Sequence, residues 1–152
     1  MYFGTGWSLV LFSFPIADQL TPANYYTQFV PQVTSATLFF TGMTKVMIVC
    51  CLILIIEEWK TSRKWFGIGI VLAVVLATAL TIIYIFPYNK RMADGINSAE
   101  ELKEVLHKWI NLNIIRVSIW TVQWLLMMIY FLIYINKAKK KSKECCIKIF
   151  AF

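Results

Sequence analysis

The stretch WFGIGIVLAVVLATALTIIYIF, residues 65–86, carries no charged side chain and is followed at once by PYNKR, residues 87–91. As an α-helix this run would be about 33 Å long, enough to cross a hydrocarbon core of roughly 30 Å. A lipid-exposed segment must satisfy its backbone hydrogen bonds internally, so a run of this kind is predicted to be a helix. It therefore sets the fold class of the chain.

Three more apolar segments lie at about 3–16, 33–56 and 113–135. The 152-residue chain is 59% hydrophobic, against about 45–50% in soluble domains. The sequence predicts an all-α integral membrane four-helix bundle, with a four-span domain over 1–136 and a basic tail over 137–152. Segment 3–16 is shorter than the bilayer core, so either the bilayer thins around it or the native chain begins further upstream.

Basic residues are distributed unevenly between the connections. Six of the fifteen follow Asn136 and three lie in loop 57–64, whereas loop 16–32 has none. The positive-inside rule then predicts a multi-pass protein with both termini cytoplasmic. Loop 87–112 faces outward in that topology, with four basic and four acidic residues.

The net charge of +7 does not indicate a nucleic-acid partner, because there is no folded basic face and no aromatic-interleaved motif. Cys and His do not occur at zinc-site spacing, and we predict neither a metal nor a cofactor. The expected partner is the lipid bilayer, and the sequence leaves the oligomeric state open.

An amphipathic helix is predicted just before the last span. Ser98 is a good N-cap with Glu101 three residues on, and apolar residues then recur at helical spacing. We expect this helix to lie on the outer surface and to run into the span; its apolar positions are Leu102, Val105, Leu106, Trp109 and Ile110.

Lys45 lies close to the middle of the second span, where a charge is costly. Four threonines share one face of that helix through three- and four-residue spacing: Thr34, Thr37, Thr41 and Thr44. Lys45 either lines a polar cavity or leans to an interface and pairs structurally. Threonine is also common at helix contacts in membranes, so the stripe alone does not decide between them.

The last span carries a polar and aromatic face, formed by Trp109, Asn113, Arg116, Trp120 and Gln123. A lipid-facing stripe would not carry Asn, Arg and Gln. Either this face lines a pocket that opens outward, or Arg116 merely extends to the headgroups.

The third span supplies Thr78 and Thr81 one turn apart, and Pro87 and Asn89 follow its end. Proline lacks an N–H, so we expect Pro87 to end or bend this helix and to place Asn89 over the mouth of the bundle. Asn89, Asn113 and Arg116 are then predicted to form one hydrogen-bonded cluster.

FPYN at 86–89, followed by WINLNIIR at 109–116, resembles a family of small four-helix membrane proteins that includes the fungal anthrone oxygenases. The family's Pro-x-Asn, Trp and Asn-x-x-Arg fall on Pro87, Asn89, Trp109, Asn113 and Arg116. Members often carry a histidine directly after that Asn, where this chain has Ile114, so a histidine-based acid–base role is not carried over.

The resemblance implies cofactor-free oxygenation of an electron-rich, anthrone-like aromatic. Arg116 would stabilise the oxyanion, Asn89 and Asn113 would orient the substrate, and Lys45 would accept the proton. The residues that would contact a planar substrate are Trp109, Trp120, Gln123, Thr81 and Trp7.

The alternative is a non-enzymatic accessory or carrier protein in which the Asn and Arg cluster only locks helices together. A channel or pump is disfavoured, because the spans carry no acidic residue. A cavity bounded by Lys45, Asn89, Asn113 and Arg116 favours the binder or enzyme, and a sealed cluster favours the structural role.

Overall fold

A computed structural model describes residues 2–17 and 19–150, with side chains for 3–17, 19–137 and 139. This part of the chain is helical and contains no strand. We group the helices of the described residues into four rods, each made of helices that follow one another along the chain. The first rod is α1 (Tyr2–Ser8), a π-helical turn (Leu9–Ser13) and α2 (Phe14–Ala17); the second is α3 (Tyr25–Gln28) and α4 (Val30–Glu57). The third is α5 (Lys64–Leu80), a second π-helical turn (Thr81–Ile85) and α6 (Phe86–Asp94); the fourth is α7 (Ala99–Phe150).

Among the residues that the structure describes, three helices are long and apolar enough to cross a membrane: Tyr25–Glu57, Lys64–Asp94 and Ala99–Lys137. The helix at Phe3–Ala17 is shorter. The expected all-helical architecture is confirmed, but the helices extend beyond the predicted span limits of 33–56, 65–86 and 113–135. Large apolar side chains cover their outer surfaces, and Leu38 and Ile56 are each 73% exposed.

Pro87 does not end the third rod, which continues to Asp94. The turn before it widens into a π-helix, in which the Phe86 N–H donates to the carbonyl five residues back at Thr81. The first rod contains the same kind of turn, in which the Phe14 N–H donates to the Leu9 carbonyl just before Pro15. A proline removes one backbone bond and crowds the carbonyl four residues earlier, and the wider turn accommodates both effects without a break.

The helix predicted before the last span is present, but it is the first part of α7 rather than a separate element. The Glu101 N–H lies 3.5 Å from the Ser98 hydroxyl, as expected of an N-cap. Its apolar face is buried, with Leu102, Leu106 and Trp109 in the main core.

Hydrogen bonds from Tyr25, a residue of the second rod, hold the link between α6 and α7 in place. The Tyr25 hydroxyl accepts from the Ile96 N–H at 2.5 Å and contacts the Met92 carbonyl at 3.3 Å. Gly95, at φ +96°, adopts the left-handed backbone that the reversal needs. An Arg91–Glu101 ion pair closes the same end.

Two helices approach α7 closely from the sides. α5 lies between α4 and α7 and packs against both, while α1 packs along α7. A Cβ added at Gly6 would lie 2.9 Å from the Trp120 ring, so the absence of a side chain there allows the approach of α1. α4 buries only Cys51 over its 28 residues, and its inner face is therefore left to border a cavity.

Candidate functional site

A cavity of about 380 Å³ lies among α4, the third rod and α7. We call it the inner chamber. Its polar lining residues include Lys45, Asn89, Arg116 and Thr81, and its aromatic ones include Phe29, Phe40, Trp109 and Trp120. Its size falls within the roughly 300–1,000 Å³ of small-molecule pockets.

A chain of hydrogen bonds connects the polar residues at one end of the inner chamber. The Trp109 indole N–H donates to the Asn89 side-chain oxygen at 2.7 Å. The Asn113 amide donates to the Trp109 carbonyl at 2.8 Å, and Arg116 donates to the Asn113 side-chain oxygen. The predicted cluster of Asn89, Asn113 and Arg116 therefore exists, with Trp109 as the link that sequence reasoning did not place between them.

Arg116 is held by its aromatic neighbour as well as by Asn113. Its guanidinium carbon lies 4.8 Å from the centroid of the Trp120 ring, within the range of a cation–π interaction. The side chain is half-buried and lines the chamber. This position combines a permanent positive charge with an aromatic surface.

Threonines supply hydroxyl oxygens around the wall. The hydroxyls of Thr37, Thr41 and Thr44 on α4, and of Thr78 and Thr81 on the third rod, each donate to the backbone carbonyl four residues earlier. Their donors are thus used within their own helices, and a hydroxyl oxygen that donates in this way can also accept a hydrogen bond. All five residues line the chamber. Thr34, the fourth member of the predicted stripe, is absent from this wall.

Lys45 lines the chamber at a different depth from Arg116. Phe40 packs on Trp120 with ring centroids 5.3 Å apart, and the Gln123 amide nitrogen lies 2.8 Å from the Met47 sulfur. α4 and α7 therefore run in the same direction. These two contacts place Lys45 level with residues 121–125 of α7, so at 1.5 Å per residue the Cα atoms of Lys45 and Arg116 are roughly 8–13 Å apart along the bundle.

Three predicted site residues do not line the inner chamber. Asn113 is fully buried behind Trp109 and Arg116. Gln123 is also buried, turned toward Met47. Trp7 is 38% exposed and donates to the Thr121 hydroxyl at 3.0 Å, on the side of α7 that α1 covers.

Comparison of the chain with models of protein families, with characterised proteins and with solved structures gives no match.

Sequence reasoning missed other lining residues. Ser13 and Gln32 are polar residues near the ends of apolar segments, and their polarity was the available signal. No feature of the sequence marked Phe29 and Phe40 as lining residues, since aromatic residues occur throughout the spans.

A second cavity of about 660 Å³ adjoins the first between α4 and α6, and we call it the outer chamber. Six residues line both: Phe29, Val33, Thr37, Ile82, Phe86 and Asn89. Leu38 and Ile82, on its border, are 73% and 57% exposed, so it opens on the side of the bundle. The two chambers therefore share a wall, and we refer to them together as the recess.

The described side chains include no group of three His, Cys, Asp or Glu arranged as metal ligands. The chemistry of the recess rests on a guanidinium, an amine, amide and hydroxyl groups, and aromatic rings. These groups can bind an apolar molecule, orient a polar substituent on it and stabilise a negative charge.

Proposed function

We propose that this protein is a multi-pass membrane protein whose inner chamber binds a small hydrophobic molecule. The observation that carries the proposal is a cavity of about 380 Å³ with apolar walls and with Lys45, Asn89 and Arg116 among its lining residues. Pockets of this kind combine apolar surface with a few polar groups that fix orientation. Exposed apolar side chains along three helices support a bilayer as their surroundings.

We further propose that the rods cross the bilayer with both termini in the cytoplasm. The basic loop at 57–64 and the basic residues after Asn136 support this orientation. The end of the recess that holds Asn89 and Trp109 then faces outward.

The resemblance to the anthrone oxygenases suggests a reaction for the bound molecule. Lys45 would take a proton from the ring CH₂ of an anthrone-like substrate, and Arg116 would stabilise the enolate oxygen. The enolate would then reduce O₂ directly. The CH₂ carbon becomes a carbonyl carbon with one oxygen atom from O₂, and the second oxygen atom leaves as water.

A second candidate is a non-enzymatic accessory or carrier protein in which the cluster holds the helices together. It is favoured by one observation, that Asn89, Trp109, Asn113 and Arg116 bond to one another and that Asn113 is fully buried. Hydrogen bonds of this kind contribute about 0.6 kcal/mol on average in a membrane.

Native mass spectrometry of the protein in mild detergent separates the two candidates. The variants are Arg116→Ala and Asn89→Ala, with Asn111→Ala as the control, because Asn111 is exposed on α7 and lies outside both chambers. A small molecule that co-purifies with the wild type and the control, and is lost from both folded variants, supports the binder. Unfolding of both variants without any ligand supports the structural role.

For the oxygenase reaction, the test is O₂ uptake with an anthrone-like substrate. Uptake that depends on Arg116 and Lys45 supports the reaction. Uptake at the rate of protein-free solution refutes it and leaves the binding proposal standing.

A further inference from the structure

Lys45 brings a primary amine into the wall of the inner chamber. It is the one lysine among the described residues that line this chamber. Its side chain is exposed, so a molecule in the chamber can reach the amine. Lysine amines in apolar pockets serve proteins as nucleophiles that form Schiff bases with carbonyl compounds, whereas arginine stays protonated and does not take this role.

Lys45 forms no ion pair with the residues that the structure describes. The ion pairs of these residues join Arg63 to Glu58, Arg91 to Glu101 and Lys108 to Glu104. Neither Asp nor Glu occurs among the described residues that line the inner chamber. The nitrogen of Lys45 is therefore not held by a carboxylate and is available to a ligand.

Small side chains lie across the chamber at about the depth of Lys45. A Cβ added at Gly67 would lie 2.8 Å from Ile55, which places these two residues of α5 and α4 at the same level. The two helices run in opposite directions, so ten residues further along each of them Lys45 is roughly level with Ala77. Ala77 and its neighbour Thr78 both line the chamber, and the methyl group of Ala77 leaves space in front of the amine.

Threonine oxygens near the amine suit the intermediate of imine formation. Thr41 lies one turn before Lys45 on the same face of α4, and Thr78 lies on the opposite wall. Attack of an amine on a carbonyl gives a carbinolamine, whose O–H and N–H groups need acceptors in an apolar setting. The hydroxyls of Thr41 and Thr78 already donate within their own helices, and their oxygens can accept.

We propose that the ligand of the inner chamber is an apolar aldehyde or ketone and that Lys45 forms an imine with its carbonyl carbon. The C–N bond forms as the neutral amine attacks, and the carbonyl oxygen leaves as water together with the two hydrogens of that amine. The product nitrogen carries no hydrogen and needs no acceptor. This inference rests on the proposed binding function, adds the functional group of the ligand and does not depend on the oxygenase reaction.

The test uses pyrenecarboxaldehyde, added to the full chain in phosphatidylcholine nanodiscs, because this lipid has no primary amine. Sodium cyanoborohydride reduces an imine to a stable secondary amine, and peptide mass mapping then locates each pyrene label. Lys103 is the internal reference, since it is exposed and lines neither chamber. Lys45 should gain label at least about tenfold faster than Lys103, because binding raises the effective concentration of the aldehyde at its amine.

The unreactive alcohol pyrenemethanol separates binding from bond formation. Trp109 and Trp120 line the inner chamber, so saturable energy transfer from tryptophan to pyrene reports binding. An excess of the alcohol should suppress the label on Lys45 and leave the label on Lys103 unchanged.

Lys45→Arg keeps the positive charge and removes the amine, so this variant should bind the alcohol while its total label falls to that of the exposed lysines. Lys103→Arg is the matched control and should keep the rapid label on Lys45. If Lys45→Arg does not fold, competition by the alcohol in the wild type decides alone.

Label on Lys45 that forms no faster than on Lys103, in a protein that binds the alcohol, overturns the imine and leaves a binding cavity. Rapid label that excess alcohol does not suppress would show that Lys45 reacts directly from lipid, and it would overturn the chamber as the site. Absence of saturable energy transfer to either pyrene compound overturns the proposed binding function itself.

Discussion

The indole N–H of Trp109 donates a hydrogen bond of 2.7 Å to the side-chain oxygen of Asn89, and it thereby joins α7 to α6 at the edge of the inner chamber. Both partners line the chamber. Water does not readily replace a lost partner in this apolar setting, so the bond fixes the relative position of the two helices more firmly than it would at a wet surface.

Asn89→Ala and Trp109→Phe should each lower the free energy of unfolding by about 1–3 kcal/mol, because each leaves a polar group of the other residue without its partner. In a double-mutant cycle the coupling energy should be about 0.6 kcal/mol and at most about 1.7 kcal/mol. Thermal unfolding in mild detergent measures both quantities. Asn111→Ala should have little effect, and strictly additive losses would show that the bond contributes nothing.

Gly6→Ala should destabilise the packing of α1 on α7. The new Cβ would lie 2.9 Å from Trp120 and 3.0 Å from Val117, so one of the helices must move. We expect a loss of about 1–3 kcal/mol, as for other overpacked sites, and a change in Trp120 fluorescence. Gly4→Ala adds a Cβ with nothing within 4 Å and should be neutral or stabilising. Equal effects of the two substitutions would contradict the close approach.

Glu58 should make stability depend on pH at the opposite end of the bundle. The hydrogen bond from the Thr61 hydroxyl, at 2.5 Å, is the main cause that lowers the Glu58 pKa, and Arg63 and Tyr130 add to it against the opposing effect of burial. A lowered carboxyl pKa stabilises the folded state above the unfolded-state value of 4.5, and this contribution is lost as pH falls through the folded-state pKa.

The stability difference between the wild type and Glu58→Gln should therefore be constant near neutral pH and shrink below pH 4.5. Unfolding in denaturant at a series of pH values measures it. Glu57→Gln removes an exposed neighbouring carboxylate that lacks these bonds, and it should differ little from the wild type. A difference for Glu58→Gln that does not change with pH would refute the role of its charge.

Gln123→Leu should be neutral or stabilising. Among the described residues the Gln123 side-chain oxygen is buried without a hydrogen-bond partner, and an apolar replacement removes that cost. Asn113→Leu is the contrast, because it deprives Arg116 of an acceptor and should cost about 1–3 kcal/mol. Thermal unfolding and ligand retention are both measured. Loss of ligand from Gln123→Leu would show that Gln123 takes part in ligand binding.

Much of the architecture follows from sequence alone, because long uncharged runs can exist in lipid only as helices. The polar face of α7 was also predictable, since three- and four-residue spacing puts Asn113 and Arg116 on one side of any helix. The contacts made by that face were not. Gln123 shares it with Trp120, yet it turns to Met47, because the packing of neighbouring helices decides what each residue meets.

Pro87 shows the same limit for the backbone. The sequence shows that Pro87 lacks a backbone N–H. Whether the helix ends there or continues depends on whether the preceding turn breaks or widens. Hydropathy carries no information on that choice. Trp7 was predicted to line the pocket because its ring could stack on a substrate. In the structure its indole N–H instead donates to the Thr121 hydroxyl and so joins α1 to α7.

The π-helical turn Thr81–Ile85 has one further consequence. It holds one residue more than the α-helical turn it replaces, and one residue corresponds to about 100° of rotation around the axis. The third rod therefore contains a fixed change of phase between α5 and α6. If the same residues were instead wound as a regular α-helix, Asn89 would be rotated by about a quarter of a circle away from Trp109, so the polar end of the recess depends on a one-residue insertion.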